Sequence, residues 1–562
     1  MFDLIIRNGL ICDGSGAPAF KGDVAVRDGK IAALGEVTGD AKQVIDAKGQ
    51  VVAPGFIDPH THFDAQLLWD GYAQPSLEHG ITTIMSGNCS LSLAPLKAEH
   101  RDLLGATFRQ IEEMPKAAFD AGFSWTWESF DDYIKAIKDG LGINVAPLVG
   151  HSLLRMWVMG AEESRNHAAT PAEVKQMQNL LKQCLDAGSI GMSGSWVDID
   201  HERHPVPARL AEHSELEALC ETLGEHNAIL QIVPEFWDAD ILRVRIDQLA
   251  DLSRKYNIST TFSPLFDSNA WPNLVYLAMD RIRLQSAHGA RVTPQMQIRP
   301  IDLSFDISQP NSTFATLPSW WATTILPVDE KRVKLKDPEF RKKLSADLEH
   351  FMQPIGLQID FRDAYVKRMG KPDPKLMNRS MRDIAAERNC HFAEAIIDLA
   401  LEHDFDISFG LDSIGHNNSP KIGQLMLDPL VGLGAGDGGA HVSNFATYGD
   451  TSLLFSEYVR KQHSLSLEYA VRKLTHDIAV VWNVKNRGLL RPGFAADIVI
   501  FDANTMDRGA EIPVDDLPAS GWRYVRRNTG VSQVFVNGAL AYDLDAGYSD
   551  KKAGAVTERV AA

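Results

Sequence analysis

VVAPGFIDPHTH, residues 51–62, is a run of apolar residues that ends in two histidines separated by one position. The run reads as a buried strand. In extended backbone, residues i and i+2 project to the same side, so His60 and His62 point together while Thr61 turns away. Two imidazoles projecting from a strand end can grip one metal ion. The same pair in an ordinary polar loop would mark nothing. The apolar lead-in, the kink-permissive Pro54-Gly55 and the acidic Asp58 favour the metal reading.

Working outward, further short apolar runs alternate with helical stretches: GITTIMSG from Gly80, INVAPLVG from Ile143, SIGMSGS from Ser189, AILQIVP from Ala228, STTFSP from Ser259, QMQIRPIDLSF from Gln295 and DPLVGLGAGD from Asp428. Alternation of this kind predicts βα units around a parallel sheet. Eight such units make an α/β fold, a TIM-like (β/α)8 barrel. Thr170-Pro171-Ala172-Glu173 and Ser214-Glu215-Leu216-Glu217 read as capping boxes opening two of the helices, and Gly188 and Gly224 as their stops. The interval between the last two strands is far longer than an ordinary barrel connection. It is charged and reads as a helical insertion around 308–424, a layer or lid over the barrel mouth.

The two chain ends read differently. Residues 1–50 alternate short β-branched runs with turns at Asn8-Gly9 and Asp28-Gly29, and residues 486–562 hold ADIVIF from Ala496 and VSQVFVNGAL from Val531. Together they are expected to complete a small β-sandwich flanking a barrel of residues 51–485.

Bulk properties exclude several functions. The 562-residue chain has 44% hydrophobic and 23% charged residues, ordinary for soluble protein. Its net charge of −18, without a long basic run, argues against nucleic-acid binding. The short RYVRR from Arg523 reads as a solvated strand face. Five cysteines, widely spaced and without CxxC, argue against a disulfide framework. No signal-peptide pattern opens the chain and no apolar run is long enough to span a bilayer. A cytoplasmic protein with a small-molecule substrate is expected, with no nucleic acid and no membrane as partner; a homo-oligomer is left open.

Catalytic groups of such a barrel lie at the C-terminal ends of its strands. The second strand runs into Asn88-Cys89, which places a thiol at that rim; the alternative is a small buried apolar residue. The third ends at His151, with Arg155 a turn further on. His151 is read as a partner behind the metal ligands, a substrate contact or a structural histidine. The last strand enters Gly434-Ala435-Gly436-Asp437-Gly438-Gly439-Ala440-His441, where small residues let a ligand approach the backbone. Asp437 is the general-base candidate, able to bind a metal, accept a proton from water and pass it to a leaving nitrogen; otherwise it caps a turn.

PGFIDPHTHFD, SGNCSLSLAPL, LVGHSLLR, GAGDGGAH and NRGLLRPGFAADIVIFD, in this order, resemble the amidohydrolase superfamily, in particular its N-acyl-D-amino-acid deacylase branch. The resemblance runs nearly end to end. It implies a metal-dependent hydrolase of amide bonds in which His60 and His62 are ligands, Cys89 takes the family's cysteine-ligand position and Asp437 is the metal-associated acid/base. Zinc is the implied ion, supplying an acidified water and a polarised carbonyl.

The chain also departs from the family. Histidines are expected at the ends of the fifth and sixth strands, where this chain has Gln231–Glu235 and Ser263-Pro264-Leu265. One Zn2+ held by His60, His62, Asp437 and Cys89 is therefore expected, with Glu235 as an extra ligand candidate. The family's basic residue after the sixth strand is replaced by Phe266, which leaves Arg299 or Arg155 to hold an acidic group by a bidentate pair. His441 is a further candidate beside the ligands or the substrate. Trp125, Trp127, Trp157, Trp196 and Trp237 would suit a bulky substrate if they line the pocket. The expected reaction is hydrolysis of an amide bond in a bulky N-acylated small molecule. The alternatives are a cyclic-amide hydrolase, disfavoured because Ser193–Ser195 offer no bridging lysine, and a catalytically silent scaffold.

Overall fold

The computed structural model describes residues 1–268, 270–309, 311–314, 317–349, 359–434 and 436–561. A curled sheet of eight parallel strands stands at its centre: β1 (Phe56–Asp58), β2 (Ile81–Ser86), β3 (Asn144–Gly150), β4 (Gly191–Ser195), β5 (Ile229–Val233), β6 (Thr260–Leu265), β7 (Val292–Met296) and β8 (Gly432–Leu433). Each pairs with its neighbour in chain order. The first and last strands meet beyond their C-terminal ends, where Thr61 bridges Gly438 in parallel. There the His62 N–H donates to Gly438 O over 2.8 Å and the Asp437 N–H donates to His60 O over 3.1 Å. This seam of the TIM-like barrel runs through the histidine pair itself.

The period of two divides the strand residues between faces. Val145, Val149, Leu230 and Ile232 join the large core against the helices. Ile57, Met85, Ala146, Leu148 and Ile229 form a separate cluster with Trp482 on the inner face. Ser193, Gln231, Thr261 and Gln295, all buried, share that inner face and add polar groups to it.

The opening stretch, expected as one strand, is two. Val51–Pro54 lies in a nine-stranded sheet built from both chain ends, between Phe2–Ile11 and Ile498–Phe501, whereas Phe56–Asp58 starts the barrel. Gly55 makes the transfer because no side chain fits there: a Cβ would meet Thr82 Oγ1 at 2.1 Å. Leu4, Val24, Val52, Ile498 and Phe535 form the core of the terminal sheet.

QMQIRPIDLSF divides in the same way. Its first half is β7, while Ile301–Phe305 pairs with Ile407–Gly415, which also pairs with Tyr365–Met369, in an antiparallel sheet. That sheet and its helices bury Phe305, Phe314, Trp320, Phe361 and Phe409. The insertion is thus α+β rather than helical, and its sheet begins at Ile301, ahead of the expected 308. The charges in YVKRM had hidden a strand.

Among the helices, Pro171–Asp186 opens on the expected capping box, with Thr170 Oγ1 accepting from Glu173 N and Glu173 Oε2 accepting from Thr170 N. The second box is absent: His213–Glu225 begins ahead of Ser214, with Glu212 at its cap and no side-chain cap bond. Gly224 lies inside that helix, where a Cβ would meet Tyr256 O at 2.4 Å, so it permits close packing rather than a stop. RYVRR is only partly solvated: Arg523 is buried and paired with Asp516, whereas Arg527 is exposed. No helix among the described residues is long and apolar enough to cross a membrane.

Candidate metal centre and active site

His60 and His62 follow β1, Cys89 follows β2 and Asp437 follows β8, so all four converge at one rim of the barrel. His60 Nε2 stands 3.2 Å from Cys89 Sγ and 3.4 Å from Asp437 Oδ1. His62 Nε2 stands 3.8 Å from the same sulfur and 3.9 Å from the same oxygen. A tetrahedral zinc with bonds of about 2.0–2.3 Å spaces its donors by roughly 3.3–3.7 Å. The donor atoms of His60, His62 and Cys89 all lie within 4.8 Å of one another and fit one ion of that size, whereas Asp437 approaches the two imidazoles but falls outside this three-residue cluster.

The backbone enforces this convergence. Cys89 and Asp437 have φ of 56° and 57°, a left-handed conformation that few side-chain-bearing residues adopt and that surrounding contacts must hold. For Cys89 the contact is its N–H donating to Gln231 Oε1 over 3.1 Å. For Asp437 it is the bond to His60 O across the barrel seam. Both rings have a partner behind them: His60 Nδ1 is hydrogen-bonded to Gln295 Oε1 at 2.9 Å, and His62 Nδ1 lies in ion-pair contact, out of hydrogen-bond line, 3.0 Å from Glu112 Oε1. Anchoring Nδ1 leaves Nε2 facing the cluster, the usual arrangement of ligating imidazoles.

Protonation separates the two histidines. Burial lowers His60 to about 4, so its ring is neutral at pH 7. Burial also works against charge on His62, but the Glu112 carboxylate overrides it and raises that ring well above the ordinary histidine range. Burial pushes the Cys89 thiol up to about 12. Alone it is therefore a thiol at neutral pH, and a coordinated cation is what turns such a group into thiolate.

The cluster lies in a pocket of about 270 Å³ that opens to solvent. Ile111, Val233, Phe236, Pro264, Ile301, Leu303 and Phe445 supply apolar wall, and Arg299, His441 and Asp198 supply charge. The Arg299 guanidinium lies 5.4 Å from the Phe445 ring centroid, donates through Nη2 to Gly436 O at 3.3 Å and has Nη1 3.7 Å from Asp450. His441 Nδ1 lies 3.3 Å from Glu113 Oε2. Burial opposes its protonation, but Glu113 overrides and raises it to about 9. Burial raises the Asp198 carboxyl, against a lowering hydrogen bond from Ser195.

Other sequence candidates lie elsewhere. His151 Nε2 pairs with Glu215 Oε1 at 2.7 Å, and Arg155 pairs with the other oxygen of Glu215. Both are buried between two helices and serve that packing, not the pocket. Glu235 is clamped by Arg245 at 2.7 and 2.8 Å, which excludes it from the ligand cluster. None of the five tryptophans lines the pocket; Trp127 is core, and Trp196 lies under Arg245. Ala435 of the glycine-rich loop lies outside the described residues.

Sequence reading missed Glu112, Gln295, Gln231 and Asp198. For Glu112 a signal was present, since Glu112-Glu113 places two acids at the C-terminal end of the helix Arg101–Ile111. The helix dipole disfavours negative charge there, so a compensating partner is implied.

A parallel eight-stranded barrel places its functional site at the strand C-termini, where the cluster lies. Two amidohydrolase family profiles match the chain, one over residues 43–308 and the other over residues 375–541. An uncharacterised protein of Mycobacterium tuberculosis is 30% identical over 536 residues, covering 91% of this chain and 86% of its own. The N-acyl-D-aspartate deacylase of Alcaligenes xylosoxydans xylosoxydans is 29% identical over 548 residues, covering 96% and 92%. In fold, the chain is similar over 100% of both chains to an N-acyl-D-glutamate deacylase of Bordetella bronchiseptica solved with zinc and a phosphonate inhibitor, with a TM-score of 0.67 at 24% identity. The chain belongs to the amidohydrolase family, in its D-aminoacylase-like branch.

Proposed function

We propose that the protein hydrolyses the amide bond of an N-acyl amino acid carrying a bulky apolar group, with one zinc ion held by His60, His62, Cys89 and Asp437. The observation that carries this reading is the cluster of His60, His62 and Cys89, whose donor atoms lie within 4.8 Å of one another, with Asp437 Oδ1 at 3.4 and 3.9 Å from the two imidazoles. Zinc supplies Lewis acidity toward the scissile carbonyl and the attacking water. Asp437, whose side chain is 26% exposed against 1% and 5% for the two imidazoles, is the group able to meet substrate. It takes a proton from the attacking water and passes it to the leaving nitrogen. His60 and His62 stay fixed by Gln295 and Glu112 while this happens.

The walls support an apolar substrate with an acidic group. Phe236, Ile301, Leu303 and Phe445 favour an apolar acyl or side chain. Arg299, with Nη1 lacking a hydrogen-bond acceptor, faces the same space and is the group to receive a substrate carboxylate. The deacylase relative of aspartate derivatives supports the N-acyl amino-acid class.

The chemistry around the cluster supports a single ion. Gln231 is engaged through Oε1 by Cys89 N–H, and Ser263 brings only a hydroxyl to the pocket. Ser193 accepts from Ser90 N–H and donates to Gly87 O, so β4 offers no lysine to bridge two ions. That weighs against the cyclic-amide reading.

Metal analysis of protein purified without added zinc, followed by a panel of N-acyl-D- and N-acyl-L-amino acids, hydantoins and lactams, tests the proposal. One ion per chain and chelator-sensitive release of free amino acid are expected. Full turnover after chelation would overturn it.

A further inference from the structure

Glu112 is placed where a carboxylate has no reason to be. It caps the C-terminal end of the helix Arg101–Ile111, where the dipole is unfavourable to negative charge, and only 1% of it is exposed. Burying a charge is costly unless it is paired. Among the described residues its ion-pair partner is His62, with Nδ1 3.0 Å from Oε1; the contact is one of charge and proximity, since neither the Glu112 oxygens nor His62 Nδ1 make an aligned hydrogen bond.

The backbone around it is tied to the opposite side of the site. Val442 N–H donates to Glu112 O at 3.2 Å, and Ser443 Oγ donates to Glu113 O at 2.8 Å. The turn thereby connects the helix end to the loop that follows Asp437. His60 has a different anchor, the neutral amide of Gln295. The two imidazoles are therefore backed by unlike groups, one charged and one not.

We infer that Glu112 is a positioning residue for the metal: its buried carboxylate fixes the His62 ring with Nδ1 held from behind and Nε2 turned to the ion, and strengthens that ligand. The inference rests on the reading of His62 as a metal ligand. A purely structural Glu112 would leave the ion's surroundings unchanged, whereas a positioning Glu112 alters both the affinity and the ligand field, because an imidazole backed by carboxylate is the stronger donor.

The test uses the full-length chain stripped of metal and reloaded with Zn2+ or Co2+ in competition with a chromophoric chelator. Glu112→Gln keeps an acceptor oxygen of the same shape and removes only the charge. It is expected to weaken metal binding about tenfold, with Glu112→Ala approaching a hundredfold. The visible absorption bands of the Co2+ form should shift in both variants. If Glu112→Ala fails to fold, Glu112→Gln alone decides the matter. Wild-type affinity and an unchanged Co2+ spectrum in a folded Glu112→Gln would overturn this inference while leaving the metal reading intact. Failure of the wild-type chain to bind either ion would overturn both.

Discussion

The backbone N–H of Asp437 donates to the carbonyl oxygen of His60 over 3.1 Å, so the candidate acid and the first imidazole are neighbours across the barrel seam. Closure of the barrel and assembly of the site are thus the same event. A variant that leaves this backbone bond in place can change the chemistry of the carboxylate without opening the barrel.

Asp437→Asn is such a variant. The amide keeps the shape, cannot take a proton from water and is a weaker metal ligand. Turnover is expected to fall by about 10²–10⁴-fold, with the thermal unfolding midpoint of the metal-free protein within a few degrees of wild type. Steady-state kinetics on an N-acyl amino acid decides it, and undiminished kcat would remove Asp437 from its proposed role.

Gly55 makes a prediction about stability. An added Cβ would meet Thr82 Oγ1 at 2.1 Å and Cγ2 at 2.2 Å, at the point where the chain leaves the terminal sheet for the barrel. Overpacking of this kind costs about 1–3 kcal/mol. Gly55→Ala should therefore lower the denaturant midpoint, and Thr82→Ala in the same chain should restore part of the loss. A Gly55→Ala midpoint equal to wild type would show that the contact yields without cost.

Much of this architecture was legible in sequence, because the eight apolar runs are bounded by turns and each became a barrel strand. Two runs misled about where strands end. Residues 51–58 are almost wholly buried on both sides of their break and apolar residues continue past the break within 295–305, so hydrophobicity carries no mark of a change of sheet; only Gly55, and the Arg299-Pro300 step in the other case, interrupt them. His60 and His62 were readable because their relation is local, two residues in extended backbone. Glu112 meets His62 from a separate helix, and the Glu215 that engages His151 and Arg155 likewise arrives from another helix. Spacing along the chain cannot reveal such partners. A titratable side chain at a strand end was a sound marker of the rim, but burial and long-range pairing decided which ones face the pocket.

Two buried histidines outside the candidate metal cluster set a pH dependence. His79 Nε2–H donates to Arg526 O at 2.9 Å while Nδ1 accepts from Ser452 Oγ at 3.0 Å. His416 Nε2–H donates to Gln297 O at 2.7 Å while Nδ1 accepts from Asp267 N at 3.0 Å. Burial holds both rings neutral, at about 4. Between that value and the ordinary value near 6.5, the unfolded chain binds protons that the folded chain does not, so stability rises with pH in this window. The contribution is complete above about 6.5 and is lost as pH falls toward 4, with about 2 kcal/mol per histidine lost between pH 7 and pH 5. His416→Gln should flatten the dependence by that amount in denaturant unfolding. Parallel curves for variant and wild type would rule the contribution out.

Arg299 yields the most specific prediction about substrate. Its guanidinium is buried, rests against Phe445 and has only a 3.7 Å contact to Asp450 on the Nη1 side. A substrate carboxylate in the pocket would complete its pairing, and charge-assisted pairs of this geometry are among the stronger polar contacts. Arg299→Ala should lower kcat/KM on N-acyl amino acids by about 10²-fold, close to 3 kcal/mol, chiefly through KM. Arg299→Lys should recover little, because an ammonium cannot form the planar two-point contact. The control is an N-acyl amine with the same apolar group and no carboxylate, on which wild type and Arg299→Ala should perform alike. An equal loss on both substrates would show that Arg299 supports the loop at Gly436 rather than reading the carboxylate.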